Sequence, residues 1–85
     1  MSEQEFEVLD ELYFLSSFNE LEQNCIFSSE ELLAILASLY SKGYIRCYSQ
    51  PDDEVEVNGV EIQANGKKYM YLASKAGLLA HNTSD

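Results

Sequence analysis

Between Glu3 and Ser16 apolar residues recur at Val8, Leu9, Leu12 and Leu15, while Glu3, Glu7, Asp10 and Glu11 fill the remaining positions. That spacing predicts an amphipathic helix over about 3–16 with a solvated acidic face. Phe6, Tyr13 and Phe14 widen its apolar stripe beyond a single buried seam. Ser17 and Glu20 then have the S-x-x-E spacing of a capping box, which starts a short helix over 18–24. A stronger start follows at Ser28, with Glu31 to close the box and Phe27 placed to staple onto Leu32. The helix it opens, over 28–41, carries the stripe Leu32, Leu36 and Leu39, with Leu33, Ile35 and Tyr40 alongside. Its outer surface is small and weakly polar, and Gly43 is expected to end it in the left-handed conformation.

Beyond Gly43 the period changes from 3.6 to 2. Tyr44 to Tyr48 reads as a strand, and Ser49 to Glu54 as a polar turn. Val55–Val57 and Val60–Ile62 flank Asn58-Gly59, a strong hairpin signal, and Asn65-Gly66 offers a second turn before an apolar run to Ala73. Residues 44–73 are therefore expected to form an antiparallel sheet with an excursion in its middle. Ser74 is placed to cap a last helix over 75–82, ahead of a polar tail.

Taken in order, the elements are helix, helix, helix, strand, wing, strand, helix. Leu39 to Arg46 resembles the turn L-x-x-K-G-L/Y-I-x-R found where the third helix of a winged-helix domain enters the wing. Tyr71 to Leu79 is similar to that family's strand-to-helix exit, Y-x-L-T-x-x-G-x-x-L, with Ser74 in the place of the threonine. The chain thus resembles the winged-helix family, which includes MarR-, PadR- and ArsR-like transcription regulators as well as winged helices that bind other proteins. The resemblance covers nearly the whole chain. It implies one α+β domain over 1–85, with three N-terminal helices, an antiparallel β-wing and a short C-terminal helix. It also implies that Ser29, Glu30, Leu33 and Ala34 occupy the positions that enter the major groove.

Charge argues against that use. Residues 1–41 hold nine acids and no Lys or Arg, and all five cations (Lys42, Arg46, Lys67, Lys68, Lys75) come later. Affinity for DNA comes largely from neutralised phosphates, so the first half of this chain begins with repulsion. The candidate nucleic-acid contacts are the helix start at Ser28 and Ser29 and the cations Lys42, Arg46, Lys67 and Lys68 near the wing. Arg46, alternating with Ile45 and Cys47, reads as solvent-facing or paired with an acid.

The leading expectation is a regulatory protein–protein interaction module, alone or as a homodimer, with Tyr13, Phe14 and Leu79 as candidate contacts and a neutral or basic partner. The alternative is a transcriptional regulator that binds DNA through its wing, as a dimer. A second alternative is an acidic protein that imitates DNA.

No chemistry of catalysis stands out, and the chain is expected to be no enzyme and to need no metal or cofactor. His81 is the only histidine and is placed to cap the last helical carbonyls. No glycine-rich phosphate loop is present among the four glycines. Glu54 to Gly59 echoes half a calcium loop, but the twelfth position is Asn65 where a bidentate Glu is required. Cys25 and Cys47 sit among apolar neighbours and form no C-x-x-C pair, which reads as two reduced, buried thiols. No apolar run reaches the length of a membrane span, and the acidic N-terminus lacks the charge of a secretory signal, so a cytoplasmic location is expected.

Overall fold

The computed structural model describes residues 1–83 and is an α+β fold of five α-helices and a four-stranded antiparallel sheet. The C-terminal pair, residues 84 and 85, lies outside the described part, as does the end of the polar tail. The helices are α1 (Glu3–Asp10), α2 (Phe18–Asn24), α3 (Ser29–Ser41), α4 (Gly59–Asn65) and α5 (Lys75–Thr83). The strands are β1 (Ser16–Ser17), β2 (Ile45–Gln50), β3 (Asp53–Val55) and β4 (Met70–Ala73), ordered β1-β4-β2-β3 across the sheet.

Capping boxes start the first three helices. Ser17 with Glu20 and Ser28 with Glu31 form the boxes their spacing predicts, and Ser2 with Glu5 forms a third at the head of α1. Gly43 ends α3 at φ +77°, a conformation that costs a residue with a Cβ far more. Ser74 caps α5, its Oγ accepting from the Gly77 N–H at 3.1 Å while donating to the Gly43 carbonyl at 2.6 Å.

Two of the expected elements fail, both because a distant partner outweighs the local pattern. The first helix stops at Asp10, not near Ser16. Leu12 N–H bonds back to Leu9 at 3.0 Å, and the Leu12 carbonyl accepts from Ala73 N–H at 2.8 Å instead of continuing the helix. Ser16 Oγ donates to the freed carbonyls of Glu11 and Phe14, and the chain enters β1, so a strand does precede the second helix. Ser16 and Ser17 pair with Tyr71 and Met70 of β4.

The second failure is the hairpin expected within the excursion. Val60–Ile62 is not a strand, and Asn58-Gly59 is not a hairpin turn. Asn58 instead N-caps α4, its Oδ1 accepting from the Glu61 N–H at 2.8 Å. Asn65-Gly66 runs from α4 into a single 3₁₀ turn, Gly66–Lys68, with Gly66 at φ −63°. The excursion becomes helical because Ile62 at its centre finds a fully buried seat, which a two-stranded wing would leave in water.

The sheet's inner face pairs Ile45 with Ala73 and Cys47 with both Tyr71 and Val55. These side chains meet Val8, Leu9, Leu12, Phe18, Leu21, Leu32, Leu36, Leu39 and Ile62 in one cluster. Tyr71 is fully buried, and its hydroxyl donates to the Gly66 carbonyl at 2.7 Å, so its one polar atom is satisfied. Phe27 packs half-buried against the cluster that holds Leu32. Among the described residues no helix is long and apolar enough to cross a membrane.

Candidate functional site

Five of the six groups singled out for phosphate contact are already engaged, Lys67 being the exception. Ser28 Oγ accepts from the Glu31 N–H at 3.1 Å as part of its cap, and Ser29 Oγ donates to Glu22. Lys42 Nζ lies 2.9 Å from both oxygens of Glu5, Arg46 lies 3.7 Å from Glu54, and Lys68 lies 4.0 Å from Glu61. Lys67 is exposed, and among the described residues only it and Lys75 have no carboxylate within ion-pair reach.

Among the described residues Glu5 is the one buried charge, 5% exposed. Burial alone would raise its carboxyl. The Lys42 ammonium, the Ser2 backbone N–H and the Ser38 hydroxyl outweigh that and hold it at about 2. Both cysteines are free. Cys47 is buried, and burial with the nearby Glu61 charge pushes its thiol up to about 11. Cys25 is only half-buried; burial first, then the charges of Glu11 and Glu7, push its thiol up too. Both shifts run away from the thiolate form.

The outer edge of α3 is covered. Ala37, on the small, weakly polar face read as the outer surface of this helix, is buried, because α4 lies alongside. A Cβ built on Gly59 would lie 3.2 Å from Ser41 Oγ and 3.7 Å from Ala37 Cβ, and one on Gly66 would lie 2.7 Å from Leu33 Cδ2. The two helices leave a shallow cleft lined by Ala34, Ser38, Ser41, Val60 and Gln63. Val57 N–H donates to Tyr40 Oη at 3.1 Å, and Tyr69 Oη donates to Glu61 at 2.6 Å, fastening the excursion at both ends.

A second region lies where the turn after α1 meets α5. Tyr13, Phe14 and Leu79 are 39%, 82% and 58% exposed. Tyr13 reaches α5, its hydroxyl donating to Asn82 Oδ1 at 3.1 Å. Leu79 lies one helical turn before Asn82 on the same face. His81 does not cap the helix end: its ring stacks on Phe6 at 4.1 Å, its Nδ1 lies 2.7 Å from Tyr13 Oη, and its Nε2 lies 3.3 Å from Asp10 Oδ1. Around the other side of α1 a groove of about 290 Å³ is lined by Glu7, Asp10, Glu11, Asn24, Cys25 and Ile26, the last 92% exposed.

Sequence reasoning brought Phe6, Tyr13, Phe14 and Leu79 forward, read Asp10 only as part of a solvated acidic face, and missed Glu5, Ile26 and α4. The Ser2-to-Glu5 spacing is the same S-x-x-E signal as the two boxes read correctly. Asn58 carries a cap signal for α4 that equally fits a hairpin turn, and Asp10 meets His81 only across the fold. No family model matches this chain, and neither the curated proteins nor the solved structures contain a match to it.

Proposed function

We propose that this chain is a winged-helix module that binds another protein chain and does not read DNA. Three helices followed by an antiparallel sheet and a closing helix support the fold reading, with β1 and the β3–α4 excursion as additions. The observation that carries the functional reading is α4 lying along α3. An α-helix with its side chains is about 10–12 Å across and packed helices lie about 8–10 Å apart, whereas the major groove is about 12 Å wide. A helix pair is too broad to enter it. The first turn of α3, which α4 leaves free, presents Glu30 and Glu31.

Electrostatics support the same reading. Three of the five cations are neutralised by carboxylates within the chain, while Glu3, Glu7, Asp10, Glu20, Glu30 and Glu31 remain exposed. The partner surface we propose is Tyr13, Phe14 and Leu79, where large apolar side chains face solvent beside Asp10. Burying one such side chain is worth about 1.5–3 kcal/mol. A neutral or basic protein surface suits it, and a second copy of the chain has to overcome like charge.

Site-specific photo-crosslinking tests the proposal. A benzophenone side chain at position 14, in the full chain mixed with cell extract, is expected to give protein–protein adducts that a probe at exposed Gln50 does not give. Adducts confined to nucleic acid, or the same adducts from both positions, would contradict it.

A further inference from the structure

Ile26 is the most exposed large apolar side chain among the described residues, at 92%. It stands on the short link between α2 and α3, and its backbone is pinned on both sides. Before it the Cys25 N–H donates to the Leu21 carbonyl at 2.9 Å. After it Phe27 packs against the core and the Ser28 N–H donates to Glu31 at 2.9 Å. Ile26 thus contributes nothing to the core, yet its position is fixed in advance. An apolar anchor held in this way loses little freedom when a partner covers it.

The groove that Ile26 borders is acidic, with Glu7, Asp10 and Glu11 lining it beside Asn24 and Cys25. Among the described residues neither Glu7 nor Glu11 has a cation within ion-pair reach, and Asp10 meets only His81, at 3.3 Å. The Glu11 and Glu7 charges are felt inside the groove, where they add to burial in pushing the Cys25 thiol up. Among the described residues no three His, Cys, Asp or Glu side chains come together to hold a metal ion, so these carboxylates suit a larger cation. At about 290 Å³ the groove lies at the lower end of small-molecule sites, roughly 300 Å³ and upward, and has the room of one long side chain.

We infer that this groove is a second docking face, taking a lysine or arginine side chain from a basic, amphipathic segment of a partner protein. The alkyl stem and an apolar neighbour in the segment cover Ile26, while the charged head lies among Glu7, Asp10 and Glu11. Charge complementarity sets the occupant. A phosphate-bearing surface is repelled here, and a second copy of the chain brings a net charge of −10 against the same carboxylates. The inference rests on the reading of the chain as a protein-binding module. To it the groove adds a face around α1 from Tyr13, Phe14 and Leu79, and a charge class for what covers that face.

A random peptide library displayed on phage and selected against the full chain tests it, the selected peptides then being synthesised and titrated. We expect peptides that set Lys or Arg beside an apolar residue, with affinity lost on the order of tenfold or more both in Ile26→Ser and in the double variant E7Q/E11Q. Bound peptide should also slow maleimide alkylation of Cys25, which lines the groove, while Cys47 stays buried in either case. Selected peptides without a cation, peptides that bind both variants as tightly as the parent, or no selected peptides at all overturn the inference. So does dimerisation of the chain that Ile26→Ser abolishes, which makes a second copy the occupant. Peptides lost in Phe14→Ser and kept in Ile26→Ser overturn the groove and leave the Tyr13–Leu79 surface standing. Failed crosslinking at position 14 with groove binding intact does the reverse.

Discussion

Two oxygens of Glu5 accept from four directions: the Ser2 N–H, the Ser38 hydroxyl, and the Lys42 ammonium at both oxygens, all within 2.9 Å. The carboxylate thereby closes the cap of α1 and ties that helix to the end of α3. Glu5→Gln keeps the shape but loses the charge, and is expected to cost about 1–3 kcal/mol in urea unfolding. The sign of its pH dependence follows from the direction of the shift. A carboxyl lowered from 4.5 to about 2 contributes stability that is fully present above 4.5 and is lost as pH falls toward about 2. Protonating the many other carboxylates relieves repulsion over the same range, so the test is the difference between chains. The wild-type advantage over Glu5→Gln should shrink between about pH 5 and pH 2.5. A constant difference would mean that Glu5 acts through packing alone.

At the scale of elements, α4 is held by its cap and by what it covers. Asn58→Ala removes the cap and is expected to cost about 1 kcal/mol, with the loss of exchange protection concentrated in residues 61–65. α5 has a tighter constraint: a Cβ on Gly77 would lie 2.0 Å from the Tyr44 carbonyl oxygen, and the contact is backbone. Gly77→Ala should therefore cost more than about 2 kcal/mol, seen as a lowered thermal midpoint. These elements also show what the sequence makes legible. The boxes at Ser17 and Ser28, the Gly43 stop and the Ser74 cap depend on neighbours within one helical turn and read correctly. Asn58-Gly59 serves a hairpin turn and a helix cap equally well, and the choice is made by Ile62 finding a buried seat. The end of α1 is set by a bond from Ala73, and the His81 contacts by Phe6, Asp10 and Tyr13. No local pattern encodes those pairings. Of the candidate surface, the exposed aromatics were legible because they overfill a helical stripe, and the cover on α3 was not.

Across the whole molecule, acidity and the covered face of α3 act together. A net charge of −10 repels phosphate, and α4 packs against Ala37 of α3, the two observations on which the proposed function rests. Phe14 is left with apolar area in water, so Phe14→Ser should leave unfolding free energy within about 0.5 kcal/mol of the parent while abolishing the protein adducts expected near it. The most direct measurement is an anisotropy titration of the full chain against mixed-sequence duplex DNA at low salt, where phosphate contacts count most. We predict no saturable binding up to roughly 100 μM protein. Tight binding that weakens steeply as salt is added would contradict the account.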